Sequence, residues 1–114
     1  MIDAALIPQL AARFKALSDA GRLALLSALQ RGELSVGELS LATGRAQPNV
    51  SQHLASLAHA GLVAARRDGT RVFYRIADPT VLRICDAVCD GLAGRPREGR
   101  RRPGEPRRLA GGRR

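Results

Sequence analysis

The sequence predicts a mainly α-helical domain of about five helices and a two-stranded β-hairpin, and three observations lead to this fold class. Apolar residues recur every three or four positions over residues 2–29 and again over 81–92, which is helical spacing. The run from Ser35 to Glu38 fits a helix capping box, and Gln47-Pro48 fits the start of a further helix. Asp68-Gly69 between two extended runs is a strong hairpin signal. Helix, turn, helix and hairpin in this order are the parts of a winged helix-turn-helix.

Two amphipathic helices are expected before the capping box. The first covers residues 3–17, and the second runs from Ser18 or Asp19 to Arg31 with Gly32 at its end. The apolar positions that define their faces are Ile2, Leu6, Leu10, Phe14 and Leu17 in the first helix and Leu23, Leu26 and Leu29 in the second.

A short helix should begin at the capping box. The Ser35 hydroxyl is expected to accept a free amide of the first turn, while the Glu38 side chain accepts the Ser35 amide. The helix should end near Thr43-Gly44, because glycine takes the left-handed conformation that closes a helix. The turn is then Gly44-Arg45-Ala46. The residues expected to face the core are Val36, Leu39 and Ala42.

The next helix begins at Gln47-Pro48, where proline is tolerated because the first turn needs no backbone donor. Its buried side is expected at Val50, Leu54, Leu57 and Ala58, and the apolar pattern continues to Gly61-Leu62. The opposite face carries amides and hydroxyls with little charge, which suits hydrogen bonding to base edges in a DNA major groove. The candidate base-reading residues are Gln47, Asn49, Ser51, Gln52 and His53, with Ser56 also outside.

The predicted hairpin is rich in arginine. Residues 62–67 and 70–76 are strand-like and flank Asp68-Gly69. Beside a DNA-reading helix, arginines would contact phosphates and fix the register of the protein on the duplex. Each part alone is also compatible with an ordinary solvated surface, but the whole arrangement in this order favours DNA binding. The candidate phosphate contacts are Arg66, Arg67, Arg71 and Arg75, together with Arg45 of the turn.

A final helix should follow, with Asp78 as its cap and Pro79 at its first position, and it should end at about Gly94. Because DNA-reading elements need no such apolar stripe, the first and last helices are assigned to a dimer interface. A chain of 114 residues would gain from sharing hydrophobic surface with a second copy. The residues that line one face of this helix are Val81, Leu82, Cys85, Val88, Cys89 and Leu92.

The charge of the chain is concentrated at its end. The net charge is +9, and residues 95–114 hold nine arginines and two glutamates. With one large apolar residue, Leu109, this segment cannot bury enough surface to fold. One folded domain over residues 1–94 and a disordered basic tail over 95–114 are therefore expected. The tail either tracks DNA phosphates in a salt-dependent way or has no specific role.

Several classes of function are disfavoured. No apolar run approaches the roughly 18 residues of a membrane span, and the start lacks a secretory pattern, so a cytoplasmic protein without a membrane partner is expected. An enzyme is not expected, because the chain has no Cys-x-x-Cys motif, no supported Ser/His/Asp set and no glycine-rich phosphate loop. A nucleoid-type DNA-binding protein without sequence preference remains an alternative to a sequence-specific regulator.

Residues from about Leu10 to Leu92 resemble the arsenic-repressor family of bacterial winged-helix regulators, also called the ArsR/SmtB family. The resemblance implies a homodimeric repressor that leaves its operator DNA when an inducer binds. Two sensor types known in the family are not expected, because Ser35-Val36-Gly37 replaces a Cys-Val-Cys-like step and the only histidines are His53 and His59. The matching segments are Phe14 to Asp19 with Arg22-Leu23, Gly32 to Leu39, Gln47 to Leu54, Gly61 to Val63, and Gly69 to Arg75.

Cys85 and Cys89 are the candidate sensor residues. Four positions apart on a helix, they share one face. Soft thiolate ligands select trivalent arsenic or antimony, cadmium or copper(I), and a monosubstituted trivalent arsenical needs only two sulfurs. Four thiolates from two subunits would instead suit zinc or cadmium. No constitutive cofactor is expected. Redox or persulfide sensing by the same pair, and simple packing of two small apolar residues, remain alternatives.

Overall fold

The computed structural model describes residues 1–95, which divide into two units, residues 1–79 and the helix that begins at residue 80. The predicted fold class of five helices and a β-hairpin is confirmed. The expected basic tail, from residue 96 onward, lies outside the described residues. The elements of the first unit are α1 (Ile7–Leu17), α2 (Ala20–Leu29), β1 (Leu34–Ser35), α3 (Val36–Thr43), α4 (Gln47–His59), β2 (Val63–Asp68) and β3 (Arg71–Ile76). The second unit contains α5 (Thr80–Ala93).

Aspartate side chains cap the 3-10 turn before α1 and the start of α2. Asp3 accepts a hydrogen bond from the Ala5 amide at the start of a 3-10 turn, Ala4–Leu6. This turn precedes α1, so the first helix is less regular at its start than expected. Asp19 caps α2 by accepting the Arg22 amide at 3.0 Å. Arg22 also donates from Nε to the Ala16 carbonyl at 2.7 Å. This bond fixes the corner between α1 and α2.

The capping box that starts α3 is confirmed. The Ser35 hydroxyl accepts the Glu38 amide at 3.1 Å, and Glu38 accepts the Ser35 amide at 2.8 Å. The helix ends at Gly44, whose φ of 69° is left-handed and therefore favours glycine. The Ser40 hydroxyl donates to the Arg45 carbonyl and so closes the turn toward α4. Both ends of this short helix are thus fixed by local hydrogen bonds.

The sheet has three antiparallel strands in the order β1-β3-β2. The strand β1 was not predicted; it consists of two residues that pair with Tyr74 and Phe73 of β3. Asp68 pairs with Arg71, so the two-residue turn of the hairpin is Gly69-Thr70 and the expected Asp68-Gly69 turn is wrong by one residue. The hairpin over residues 63–76 is called the wing below.

The core of the first unit lies where α2, α3 and α4 pack together. Three expected core residues are wrong, because Leu23, Ala42 and Ala58 are exposed. In α2 the buried stripe is spaced by four residues, through Gly21, Leu25 and Leu29, and this stripe leaves Leu23 on the outer side. The fully buried large side chains of this unit are Leu25, Leu26, Leu29, Leu39, Val50, Leu54, Leu57 and Leu62.

The last helix, α5, begins at Thr80, so Pro79 precedes it and does not occupy its first position as expected. Val88 and Leu92 on its apolar face are 57% and 84% exposed in the single chain. Gly94 follows the helix with a left-handed φ of 71°, near the expected end. Within residues 1–95, every helix is too short or too polar to span a lipid bilayer.

Candidate nucleic-acid interface

An open groove of about 710 Å³ lies between the starts of α3 and α4 and the tip of the wing. Gln47 and Ser51 line it from α4, and Thr70 and Arg71 line it from the wing. Arg71 donates from Nη2 to the Ser35 hydroxyl at 3.2 Å. The residue that caps α3 therefore also positions a wing guanidinium beside the polar side chains of α4. The fold brings three sequence-predicted site residues into one groove.

The electrostatics of the α3 start favour a charged Glu38. Its pKa is lowered, first by the hydrogen bond from the Ser35 backbone, then by the Ser35 side chain, and to a smaller extent by the charge of Arg71. Partial burial opposes this shift. Glu38 is consequently an anion committed to the capping box at neutral pH. Arg71 itself is held at the groove by its hydrogen bond to Ser35.

A second group of predicted contacts lies over the start of α2. The side chain of His53 is only 16% exposed, and its Nε2 lies 3.5 Å from Oδ2 of Asp19. The expectation that His53 lies outside is therefore wrong, because it turns toward α2. Arg45 lies in the same region and donates from Nη1 to Asn49 Oδ1 at 3.4 Å. Asn49 itself is half-buried.

Gly21 provides the space for this second group. A Cβ atom at Gly21 would lie 2.8 Å from His53 Nε2 and 2.9 Å from Arg45 Nη1. These distances are shorter than ordinary van der Waals contacts, so any larger residue would displace one or both side chains. The pKa of Asp19 is lowered, chiefly by its hydrogen bond from the Arg22 backbone and then by His53 and Arg22. The Asp19 carboxylate thus caps α2 and also contacts His53 of α4.

The remaining candidate DNA contacts differ in their exposure and in whether they already have a hydrogen-bond partner. Gln52 is exposed on α4. Arg67 and Arg75 are exposed and make no hydrogen bond or ion pair with the described part of the chain. The strand register places Arg67 on one face of the wing and Arg66, Arg71 and Arg75 on the other. The four arginines therefore lie on both faces of the wing.

Arg66 is already bonded within the chain. Its Nε and Nη2 donate to the two carboxylate oxygens of Glu33 at 3.0 and 2.7 Å. The pKa of Glu33 is lowered, chiefly by this hydrogen bond and then by the charges of Arg66 and Arg75. The pKa of Arg66 is correspondingly raised. Arg66 is therefore charged, but its Nε and Nη2 groups are already hydrogen-bonded to Glu33.

The two cysteines of α5 have different surroundings. Cys85 is half-buried and Cys89 is exposed. Burial raises the pKa of Cys85, and the neighbouring Cys89 and Asp86 raise it further. No three His, Cys, Asp or Glu side chains among residues 1–95 are grouped so that they could hold a metal ion. A single chain therefore offers at most a two-sulfur site here.

Three residues that matter to this surface were not among the predicted site residues, namely Asp19, Gly21 and Glu33. Asp19 was recognisable as a helix cap, but its contact with His53 joins residues from two separate helices. Glu33 meets Arg66 across 33 positions of sequence. Such partners depend on how helices and strands pack, so no local pattern indicates them.

Comparison with known proteins identifies the family of the chain. Residues 19–65 match the family model described as "Bacterial regulatory protein, arsR family". The HTH-type transcriptional regulator KmtR of Mycobacterium tuberculosis is 44% identical over 101 residues, which are 87% of this chain and 73% of that protein. The chain belongs to the ArsR family. The family resemblance inferred from the motifs is thereby confirmed.

Two solved structures of ArsR-type proteins share the fold. One is the homodimeric winged helix-turn-helix DNA-binding domain of a possible ArsR-family regulator from Mycobacterium bovis, solved by NMR. It is 37% identical, with a TM-score of 0.72 over 83% of this chain and 92% of that one. The other is the antimony-specific transcriptional repressor AntR. It is 36% identical, with a TM-score of 0.73 over 82% of this chain and 86% of that one.

Proposed function

We propose that this ArsR-family chain is a sequence-specific, homodimeric DNA-binding repressor. The observation that carries the proposal is the groove in which Gln47 and Ser51 of α4 lie beside Arg71 of the wing. Amide and hydroxyl groups at the start of a helix suit base edges in the major groove, and an adjacent guanidinium suits a phosphate. The family membership supports the same activity.

The side chains of the surface take different roles in this proposal. Gln47, Ser51 and Gln52 read base edges, and Arg67, Arg71 and Arg75 contact phosphates on either side of the wing. His53 and Arg45 lie beside the start of α2, and Asn49 accepts a hydrogen bond from Arg45, so these side chains would have to leave their contacts to reach DNA. We assign these residues mainly to holding α4 in place, with DNA contact as a lesser role.

The dimer is proposed from the apolar surface that a single chain leaves exposed. Large apolar residues of the 3-10 turn, α1 and α5 are between 48% and 84% exposed, and burying the exposed part of each side chain stabilises an assembly by about 0.7–2.5 kcal/mol. A twofold-symmetric dimer would place two α4 helices about one DNA turn, roughly 34 Å, apart. The homodimeric relative from Mycobacterium bovis supports this arrangement. The residues concerned are Leu6, Ile7, Phe14, Val88 and Leu92.

A thiophilic inducer at Cys85 and Cys89 is the proposed signal. With two sulfurs per chain and no third nearby ligand in residues 1–95, a monosubstituted trivalent arsenical fits by valence, since carbon occupies its third position. A soft metal ion would draw further thiolates from a second subunit. Binding repositions α5 in each subunit, the spacing of the two α4 helices changes, and the operator is released.

Oxidation or persulfide formation at the same pair is the rival signal. Nucleophilic attack by a thiol requires its thiolate, and the raised pKa of Cys85 lowers the thiolate fraction at neutral pH. Metal or arsenic coordination displaces the thiol proton directly. We therefore rank coordination above oxidation.

The test is a titration of the purified protein bound to its own promoter DNA with phenylarsenite, arsenite, antimonite, cadmium, zinc, peroxide and polysulfide. Replacing both cysteines, C85S/C89S, should leave operator affinity unchanged and abolish release by the thiophilic compound that acts on the wild type. Release that persists in this variant would refute the sensor site. Equal affinity for promoter and random duplex would instead refute the repressor assignment and favour a nucleoid-type role.

A further inference from the structure

One side chain crosses the whole width of the sheet. Arg66 lies on β2 and Glu33 immediately precedes β1, while β3 lies between these two strands. Neighbouring strands are about 4.8 Å apart, so the Arg66 side chain bridges roughly two strand spacings to reach Glu33. It passes over Phe73 of β3, with its guanidinium carbon 4.8 Å from the centre of the ring. We call the Glu33–Arg66–Phe73 contacts the wing brace.

The brace uses both the edge and the face of the guanidinium. The edge donates two hydrogen bonds to the Glu33 carboxylate, at 3.0 and 2.7 Å. The remaining nitrogen, Nη1, lies 3.9 Å from Asp68 Oδ2. The face stacks on Phe73, as the guanidinium of Arg71 also does at 4.9 Å. A DNA phosphate would have to compete with Glu33 for the Nε and Nη2 edge of Arg66, and the carboxylate of Asp68 lies beside Nη1.

We propose that Arg66 is a positioning residue, which holds the wing at a fixed angle to α3 and α4 through Glu33, and that it is not a phosphate contact. This inference rests on the proposed DNA-binding function. The phosphate contacts of the wing are then the arginines without such partners, Arg67 and Arg75, together with Arg71 at the groove.

The other ties between the wing and α3 are the hydrogen bond from Arg71 to Ser35, the packing of β3 against α3 and the pairing of β3 with β1, and all of them leave out β2. The strand β1 contributes only two residue pairs, Leu34 with Tyr74 and Ser35 with Phe73. Two-stranded hairpins twist strongly when they are not restrained by further strands. The brace extends the restraint from β1 to β2, the outer strand of the sheet. Arg71 reaches the groove at the right place only if the hairpin keeps this orientation.

The decisive variant is Glu33→Gln, because simple charge counting and the brace predict opposite results. Removing a negative charge near the DNA surface should tighten binding if Arg66 is merely a solvated cation. If the brace positions the wing, Glu33→Gln should instead weaken operator binding about three- to fivefold, the scale of an exposed ion pair with good geometry. The slope of log affinity against log salt should stay unchanged, since no phosphate contact is lost.

Further variants test whether Glu33 acts through Arg66. Arg66→Gln should weaken binding by the same factor as Glu33→Gln, and the double variant should be no weaker than either single one. The reciprocal exchange Glu33→Arg with Arg66→Glu keeps the net charge and should recover part of the affinity. Arg67→Gln is the matched control on the same strand. It should weaken binding and lower the salt slope by about 0.9 for each subunit.

Hydrogen exchange of the free protein gives a readout that does not depend on DNA. Amides of β2 and β3 should exchange faster in Glu33→Gln and Arg66→Gln than in wild type or Arg67→Gln. Unchanged exchange, tighter binding of Glu33→Gln, or a lowered salt slope in Arg66→Gln would each overturn the brace. Wild-type protein that does not distinguish its promoter from random duplex would overturn the proposed function, while the exchange result would still decide the brace.

Discussion

At the scale of single residues, Asp19 and Gly21 decide which side chains of α4 reach outward. Asp19 caps α2 and faces His53, and Gly21 leaves the space that His53 and Arg45 occupy. The sequence placed the start of this helix at Ser18 or Asp19, which is where the cap lies. It could not indicate that a polar side chain of α4 turns inward, since that depends on the packing of two helices.

Substituting Gly21 with alanine tests this packing. Alanine in a helix interior stabilises by about 1 kcal/mol relative to glycine. Gly91→Ala in α5, where a new Cβ meets nothing within 4 Å, should show this gain as a melting temperature about 4–8 °C higher. Gly21→Ala should show little or no gain, because the new Cβ displaces His53 and Arg45. Equal stabilisation of both variants in thermal unfolding would contradict the account.

At the scale of elements, Ser35 connects α3, β1 and the wing. Its hydroxyl caps α3 and accepts a hydrogen bond from Arg71, and its backbone pairs with Phe73. The capping box was predictable because its partners are adjacent in sequence. The strand β1 was not, because two residues become a strand only when a distant strand lies beside them. The turn of the hairpin was predicted one residue too early. The strand register depends on side-chain packing between strands, which the local sequence does not show.

Ser35→Ala should destabilise the first unit. Loss of a helix cap costs about 1 kcal/mol of the free energy of unfolding, which lowers the melting temperature by roughly 4–8 °C. Ser51→Ala is the matched control, because Ser51 is exposed and caps no helix. Its free energy of unfolding should change by less than about 0.5 kcal/mol. Equal melting temperatures for Ser35→Ala and Ser51→Ala would argue against the capping role.

At the scale of the whole molecule, the apolar periodicity predicted the amphipathic helices but not which of their faces a single chain buries. The predicted stripe of α1 remains largely exposed, with Phe14 at 48%. In α2 the predicted residues Leu26 and Leu29 are buried, but Leu23 is exposed and Leu25, which was not predicted, is buried. Spacing alone does not distinguish a core face from an interface face.

Phe14→Asp tests the proposed dimer. Because Phe14 is already about half buried in the single chain, burying the rest of it in an interface contributes about 0.7–1.5 kcal/mol in each subunit, so over two subunits the dimer dissociation constant should rise about tenfold or more. Leu41→Asn is the control, because Leu41 is 86% exposed but lies on α3, outside the proposed interface. Sedimentation should show a dimer for wild type and Leu41→Asn and a larger monomer fraction for Phe14→Asp. A wild-type monomer at micromolar concentration would exclude the interface.

Acid should destabilise the fold through three carboxylates. The pKa values of Asp19, Glu33 and Glu38 are lowered in the folded state by their hydrogen bonds and cationic neighbours. A lowered folded-state pKa contributes stability above the unfolded pKa, and this contribution is lost as pH falls through the folded value. The melting temperature should therefore fall below about pH 4 and change least between pH 6 and 7. The fall should be smaller in Glu33→Gln.

The central claim is that the exposed amide face of α4 reads DNA sequence. The most direct test is Gln52→Ala, measured on promoter and random duplexes over a range of salt concentrations. Promoter affinity should fall about tenfold, while random-duplex affinity and the salt slope stay the same. An equal fall on both duplexes, or an unchanged preference for the promoter, would contradict it.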